Sequence, residues 1–239
     1  MTNGNDVTNG NGGKIRTGVW FVGARGSVAT TAVAGCAAMT AGLHPPNGMV
    51  TETGPFAGSG LPALSSLVFG GHDTAHCPLP KRAEALTDGG VLPHGLAAAV
   101  RGELAAADAE IRPGGPQSGD MRTDEELIAA FAGDMSDFRE RHGLARVVVV
   151  NVSSTEPVPE PDAVRLPPSS LYAAAALRAG CPFVNFTPST GLRTAALTDA
   201  AAASGLPHAG RDGKTGQTLL RSVLAPMFVQ RALSVRAWS

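Results

Sequence analysis

The feature that most constrains the fold is a run of apolar, mostly β-branched residues in ARVVVVNVSSTE, at positions 145–156. Such a run has no polar face, so it suits a strand that is covered on both sides, as in the centre of a parallel sheet. The apolar segments that begin at residue 15 and at residue 182 (PFVNF) are of the same kind. We therefore expect a mostly parallel sheet with helices on both faces.

Strands and helices alternate along the chain, which is the pattern of an α/β fold. Thr123 followed three residues later by Glu126 is a capping-box signature and predicts the start of a helix. A small-residue helix follows the first strand, and we find no internal repeat and no boundary of a second domain. The other predicted strands are 65–71, 206–210 and the beginning of one at 233–238 (LSVRAW); the other helices are about 95–109, 123–142, 169–180, 194–204 and 215–231.

Composition excludes several classes of protein. The chain has 239 residues, 43% of them apolar, and a net charge of −1, which suits one large α/β domain and indicates no nucleic-acid partner. Three widely spaced cysteines argue against a disulfide framework and fit a reducing cytoplasm. No stretch reaches the roughly 18 to 20 apolar residues of a membrane span. Residues 1–13 are polar and glycine-rich, so we expect a flexible tail there.

A glycine turn follows the first predicted strand. In VWFVGARGSVATT, Gly23, Gly26 and Ala29 are spaced as G-x-x-G-x-x-A. Such a turn lets the N–H groups at a helix start approach a pyrophosphate, and Arg25 would then serve as a counter-ion. The spacing departs from the dinucleotide fingerprint, so a purely structural strand-to-helix turn stays open as the alternative.

An acidic residue ends the second predicted strand. Asp73 in FGGHDT is placed to accept hydrogen bonds from ribose hydroxyls, with a loop-capping role as the alternative. The nearby His72, His76 and Cys77 lack a fourth ligand of recognisable spacing, so we predict no metal site.

Two polar loops, NVSSTEP at 151–157 and NFTPST at 185–190, follow strong strands. The carboxyl ends of parallel strands share one edge of the sheet, where α/β proteins bind ligands. Their hydroxyls and amides suit a ribose, a nicotinamide amide or a phosphate, although each loop alone is also ordinary turn chemistry. We predict that both loops meet the glycine turn at one site.

The stretch GRDGKTGQT at 210–218 predicts a site for an anionic small molecule. A P-loop needs a glycine five residues before Gly213, where this chain has His208, so a P-loop phosphotransferase is only an alternative. From 210 to 239 the chain has five basic residues and one acid, Asp212. Lys214 stands on a turn at a predicted helix start, and a desolvated lysine can act as an acid or a base as well as bind.

Five stretches together resemble the inositol-3-phosphate synthase (myo-inositol-1-phosphate synthase) family, in particular its shorter prokaryotic and archaeal branch. They are VGARGSVATT, FGGHD, VVNVSSTEP, FVNFTPST and GRDGKTGQTLLRSVLAPMF, within residues 17–239. The resemblance implies a Rossmann-type doubly wound domain over 14–239 that binds NAD and includes the start of the substrate region. It also implies isomerisation of glucose 6-phosphate to 1D-myo-inositol 3-phosphate, by internal oxidation, enolisation, aldol cyclisation and reduction.

The resemblance implies roles for particular residues, in a cytoplasmic enzyme that assembles as a homo-oligomer, a tetramer in the family. The implied catalytic residues are Lys214 and Asp212. The implied cofactor-binding residues are Gly23, Ala24, Arg25, Gly26, Ser27, Val28, Asp73, Ser153, Ser154 and Thr155. The implied substrate-binding residues are Asn185, Thr187, Ser189, Lys214, Thr215, Gln217 and Arg221.

The sequence departs from the family in three ways. Arg211 stands where relatives commonly have Asn or Asp, and Arg221 where they often have Lys. Arginine keeps the positive charge but does not deprotonate, so Arg221 suits phosphate binding and not proton transfer. The family also continues well beyond Ser239. We therefore expect little synthase activity from this chain alone, and a truncated, non-catalytic NAD-binding or partner-binding remnant is the rival hypothesis.

Overall fold

A six-stranded parallel sheet with helices on both faces forms the part of the chain described by the computed structural model, residues 15–56, 58–117, 119–160, 163–213 and 216–237. The predicted tail, 1–13, lies outside the described residues. The strands are β1 (Thr17–Val22), β2 (Leu67–Asp73), β3 (Ile111–Pro113), β4 (Arg146–Asn151), β5 (Phe183–Asn185) and β6 (His208–Gly210). The helices are α1 (Ser27–Thr40), α2 (Leu79–Asp88), α3 (Leu96–Ala99), α4 (Arg101–Ala109), α5 (Asp124–Arg141), α6 (Pro168–Arg178), α7 (Ala195–Ser204) and α8 (Gly216–Gln230).

The strand order is β3-β2-β1-β4-β5-β6. β1 is central, because Thr17 is in register with Leu67 of β2 on one side and with Arg146 of β4 on the other. The chain builds the sheet outward in one direction from β1 to β3 and then in the other from β4 to β6. This order is that of the doubly wound Rossmann fold, and it opens a crevice between the carboxyl ends of β1 and β4. The predicted α/β class is confirmed.

The core lies in two layers, one on each face of the sheet. Successive side chains of a strand point to opposite faces, and in β1 Trp20 packs into one layer and Phe21 into the other. The Trp20 layer is built with α5 and α6 and includes Phe131 and Leu171. The Phe21 layer is built with α1, α2 and α4 and includes Leu104. Burial on both faces explains why the central strands have no polar face.

The predicted capping box of α5 is confirmed. Thr123 Oγ1 accepts from Glu126 N at 3.2 Å, and Glu126 Oε2 accepts from Thr123 N at 2.7 Å. Two elements were not predicted: α2, whose LPK start hides its helical pattern with a proline in the first turn, and the three-residue β3. The final predicted strand is wrong for the described residues 233–237, which form no strand and no ladder with a neighbour.

Two elements near the end of the chain, β6 and α8, are exposed. The residues of β6 are all exposed, and α8 buries none of its described residues. Leu219, Val223 and Val229 on α8 are 67%, 64% and 80% exposed. This surface, Leu219 to Val229, is called the α8 surface below.

Candidate functional site

The turn after β1 presents an uncapped helix end. Gly23 N and Ala24 N donate to His72 O at 3.0 and 3.2 Å, which fixes the turn to the end of β2. Gly26 is the N-cap of α1, and among the described residues no side chain caps it and no acid lies in its first turn. The free N–H groups and the positive end of the helix dipole therefore remain for an anion.

Glycine is required at the first position of this turn. Gly23 has φ +85°, and a Cβ there would lie 2.7 Å from Ser153 Cα and 2.9 Å from Ser153 N. The loop after β4 thus passes directly beside the turn, at the crevice of the sheet. The predicted meeting of the glycine turn with the 151–157 loop is present in the structure.

Asp73 holds this turn in place. Its Oδ2 accepts from Arg25 N at 2.6 Å and its Oδ1 accepts from Ala75 N at 2.7 Å. Asp73 therefore caps this loop, which was the alternative role considered from the sequence. Each carboxylate oxygen has two lone pairs, so Asp73, which lines the cleft described below, keeps acceptor capacity for a ribose hydroxyl.

The Arg25 side chain is committed to the protein. Its Nε and Nη2 donate to Asp108 at 2.9 and 3.4 Å, and its Nη1 donates to Ala75 O at 3.1 Å. With its charge balanced by Asp108 and only 16% of the side chain exposed, Arg25 braces the turn against α4. Its service as a counter-ion to pyrophosphate stays a prediction to which the geometry adds no support.

An open cleft of about 680 Å³ lies at the carboxyl ends of β1, β2 and β4. Eight of the ten predicted cofactor-binding residues line it. Ala24 does not, since its side chain is 2% exposed within the core, and Thr155 lies in the exposed part of its loop. The eight are Gly23, Arg25, Gly26, Ser27, Val28, Asp73, Ser153 and Ser154.

The lining also includes polar or turn residues to which we assigned no cofactor role: Arg82 of α2, Gly115, Glu156, and Ser169 and Tyr172 of α6. The Tyr172 hydroxyl accepts from Gly115 N at 2.9 Å, which ties the loop after β3 to α6. Burial raises the pKa of the Tyr172 phenol, so the group stays neutral. No sequence motif marks Arg82, Gly115, Ser169 or Tyr172, because each reaches the cleft from an element far from the glycine turn in the chain. Glu156 lies in the predicted NVSSTEP loop.

The floor of the cleft contains a buried imidazole. His72 is 0% exposed; its Nδ1 accepts from Trp20 Nε1 at 3.0 Å, so Nε2 carries the proton and donates to Asp134 at 2.9 Å. Burial lowers the pKa of His72, which keeps the ring neutral. Both ring nitrogens are thus engaged within the protein. Across the described residues, no group of three or more His, Cys, Asp or Glu side chains is placed to hold a metal.

The ends of β4 and β5 are joined by a buried amide network. Asn151 and Asn185 are in register, and Asn151 Nδ2 donates to Asn185 Oδ1 at 3.1 Å and to Thr187 Oγ1 at 3.2 Å. Asn185 Nδ2 donates to Ser189 O at 2.9 Å. Asn185, Thr187 and Ser189 are 7%, 6% and 2% exposed, so here they hold the loop, and their direct contact with a substrate stays a prediction.

Glu156 connects this network to the cleft. Its carboxylate accepts from Ser169 N and from Thr190 N, each at 2.9 Å, and from the Ser169 hydroxyl. Ser169 N is one of the N–H groups at the start of α6, which has no other side-chain cap among the described residues. Glu156 therefore ties together the loop after β4, the start of α6 and the loop after β5.

The Gly-Arg-Asp-Gly turn, 210–213, docks on the loop after β5. Asp212 N donates to Thr187 O at 3.1 Å, and Gly213 N donates to Phe186 O at 3.0 Å. A Cβ on Gly213 would lie 2.3 Å from the Phe186 ring, so a side chain at this position would have to displace that ring. Lys214 and Thr215 lie outside the described residues, while Asp212 and two residues of α8, Gln217 and Arg221, are exposed.

The doubly wound sheet, the glycine turn at its crevice and the acidic end of β2 define a Rossmann-type dinucleotide-binding protein. The chain also matches the NAD-binding family model of myo-inositol-1-phosphate synthase over residues 17–233. The chain belongs to the myo-inositol-1-phosphate synthase family, and NAD is its cofactor. This membership removes the support for the P-loop phosphotransferase alternative.

Similar proteins agree with this assignment. Inositol-3-phosphate synthase 1 of Bacteroides thetaiotaomicron is 31% identical over 93% of this chain and 60% of its own length. The Trypanosoma brucei brucei inositol-3-phosphate synthase is 32% identical over 45% of this chain and 24% of its own. In fold, the crystal structure of the Caenorhabditis elegans inositol-3-phosphate synthase matches with a TM-score of 0.72 at 19% identity, over 91% of this chain and 53% of that one.

The chain thus spans about 60% of the length of its Bacteroides relative. In the part of the chain that the structure describes, no helix has the length and apolar character needed to cross a bilayer.

Proposed function

We propose that this protein acts in the NAD-dependent isomerisation of glucose 6-phosphate to 1D-myo-inositol 3-phosphate. The observation that carries the proposal is the cleft itself: a family-specific NAD-binding domain, matched over 17–233, places an uncapped helix end and an acidic strand end around one crevice. Bound NAD supplies a reversible hydride acceptor. The protein's own residues bind and orient the reactants and move protons.

On the cofactor side, the first turn of α1 would hold the pyrophosphate. Gly23 and Gly26 allow the close approach, and Ser27 adds a hydroxyl. Asp73 accepts from a ribose hydroxyl with the acceptor capacity left by its two backbone bonds. Ser153 and Ser154 face the cleft from the end of β4, where they suit the second ribose or the nicotinamide amide.

On the substrate side, the Gly-Arg-Asp-Gly turn and the start of α8 supply polar and cationic groups. Lys214 follows directly after Gly213, which is anchored to the loop after β5. A cation at this position stabilises enolate and aldol oxyanions and can exchange a proton with the sugar. Arg221 stays charged and suits the substrate phosphate. Asp212, Thr215 and Gln217 complete this group by position in the sequence.

A second candidate is a non-catalytic NAD-binding or partner-binding protein. One observation favours it: the α8 surface is apolar and exposed, as a surface that binds a partner would be. The two candidates share the NAD site and differ in turnover. We expect saturable NAD binding in calorimetry with either candidate, and we measure inositol phosphate formation from glucose 6-phosphate and NAD to separate them. Product formation supports the synthase; NAD binding without product supports the second candidate.

Lys214→Ala tests the substrate side. We expect weaker binding of glucose 6-phosphate to the NAD-loaded protein, by roughly tenfold or more, because a charged hydrogen bond to phosphate or oxyanion is lost. Any turnover should fall by roughly a hundredfold or more, with NAD affinity unchanged. Lys81→Ala is the matched control, since Lys81 is exposed and paired with Glu84. Equal loss of NAD and glucose 6-phosphate binding in Lys214→Ala would instead show that Lys214 only supports the fold.

A further inference from the structure

Arg82 reaches the cofactor cleft from outside the glycine turn. It lies in the first half of α2, lines the cleft, and donates from Nη2 to Ser27 Oγ at 2.8 Å. Ser27 is the first residue of α1, so the guanidinium stands beside the uncapped helix end. Because Ser27 Oγ accepts from Arg82, the Ser27 hydroxyl proton remains available to a ligand.

Arg82 differs from the basic residues around it in its charge balance. Lys81 and Arg101 both pair with Glu84, at 3.1 and 2.8 Å, and Arg25 pairs with Asp108. The described residues provide Arg82 with no carboxylate partner, and its Nε is buried without a hydrogen-bond partner among them. A partly desolvated guanidinium without a carboxylate partner is costly unless an anion balances its charge.

We propose that Arg82 is the arginine that binds the cofactor pyrophosphate, and that Arg25 instead holds the glycine turn. A guanidinium presents a planar fork that matches phosphate oxygens, and the N–H groups and dipole of α1 point at the same place. Arg82 and Ser27 would then hold the pyrophosphate together with the N–H groups at the start of α1. This inference rests on the NAD site and is independent of turnover.

The test is equilibrium binding of three ligands to the full chain: NAD, ADP-ribose, which keeps the pyrophosphate, and adenosine, which lacks it. Arg82→Met keeps most of the side-chain length and removes the charge. We expect it to bind NAD and ADP-ribose roughly tenfold or more weakly and adenosine as well as the wild type does. Lys81→Met removes the same charge from the adjacent, exposed position and should bind all three ligands normally.

Three results would overturn the inference. One is Arg82→Met binding NAD as tightly as Lys81→Met; another is an equal loss for all three ligands, which would indicate damage to the fold. The third is a wild-type chain that binds no NAD, which would remove the cofactor site itself and is recognised without any variant. If circular dichroism shows that Arg82→Met does not fold, Arg82→Lys provides the test, because it keeps a positive charge but loses the guanidinium fork. We expect Arg82→Lys to bind NAD with intermediate affinity and adenosine as the wild type does. Unchanged NAD affinity at both low and raised salt would overturn the proposal.

Discussion

At the scale of single residues, position 23 requires glycine both because of its backbone conformation and because a side chain has no room there. Gly23→Ala places a Cβ 2.7 Å from Ser153 Cα at a φ of +85°, so we expect lower stability, by about 1–2 kcal/mol for the backbone alone, and weaker NAD binding as the 151–157 loop moves. Gly42→Ala is the matched control, with φ +68° and open space around the new methyl group. It should lose stability in urea unfolding but bind NAD normally. Equal NAD affinity in the two variants would show that the Ser153 contact is unimportant.

At the scale of the elements, Glu156 couples three of them through one carboxylate. Glu156→Ala leaves Ser169 N and Thr190 N without their acceptor, and we expect a loss of about 2–3 kcal/mol in unfolding free energy together with weaker NAD binding. Glu156→Gln keeps one carbonyl oxygen and should lose less. Glu160→Ala, an exposed position on the same loop, is the control and should change unfolding by under about 0.5 kcal/mol. If Glu156→Ala were as stable as the wild type, the Glu156 carboxylate would not be needed to hold these three segments together.

At the scale of the whole molecule, we expect the free energy of unfolding to depend on the two core layers of the sheet and hardly at all on the α8 surface. Leu219→Gln replaces a side chain that is 67% exposed, so we expect a change in unfolding free energy of under about 0.5 kcal/mol. Leu171→Ala, at 0% exposure in the layer of α5 and α6, should cost about 2–5 kcal/mol.

Analytical ultracentrifugation measures whether the exposed α8 surface makes the chain self-associate. An exposed apolar patch favours association, so we predict that this chain self-associates and that the Leu219→Gln variant does so more weakly. A stability loss in Leu219→Gln as large as that in Leu171→Ala would show that α8 is part of the core.

Much of the site followed from the sequence because strand ends and glycine turns are local features. The run at 146–151 and the turn from Gly23 to Gly26 predicted both the sheet and the position of the cleft. Two errors came from the same reliance on local pattern. LSVRAW has an apolar, strand-like composition, yet a strand forms only beside a partner, and α2 was missed because a proline near its start resembles a loop.

The sequence by itself determined the parallel sheet, the glycine turn and the family, since periodicity, φ preference and motif order are all written in neighbouring residues. Only the tertiary structure decided which charges are balanced. Arg25 finds Asp108, 83 residues away, and Arg82 reaches Ser27 across 55 residues, so the arginine that the motif suggested is neutralised and another stands at the helix end. Coulombic pairing depends on distance in space, and only the packing of α2 and α4 beside α1 sets that distance.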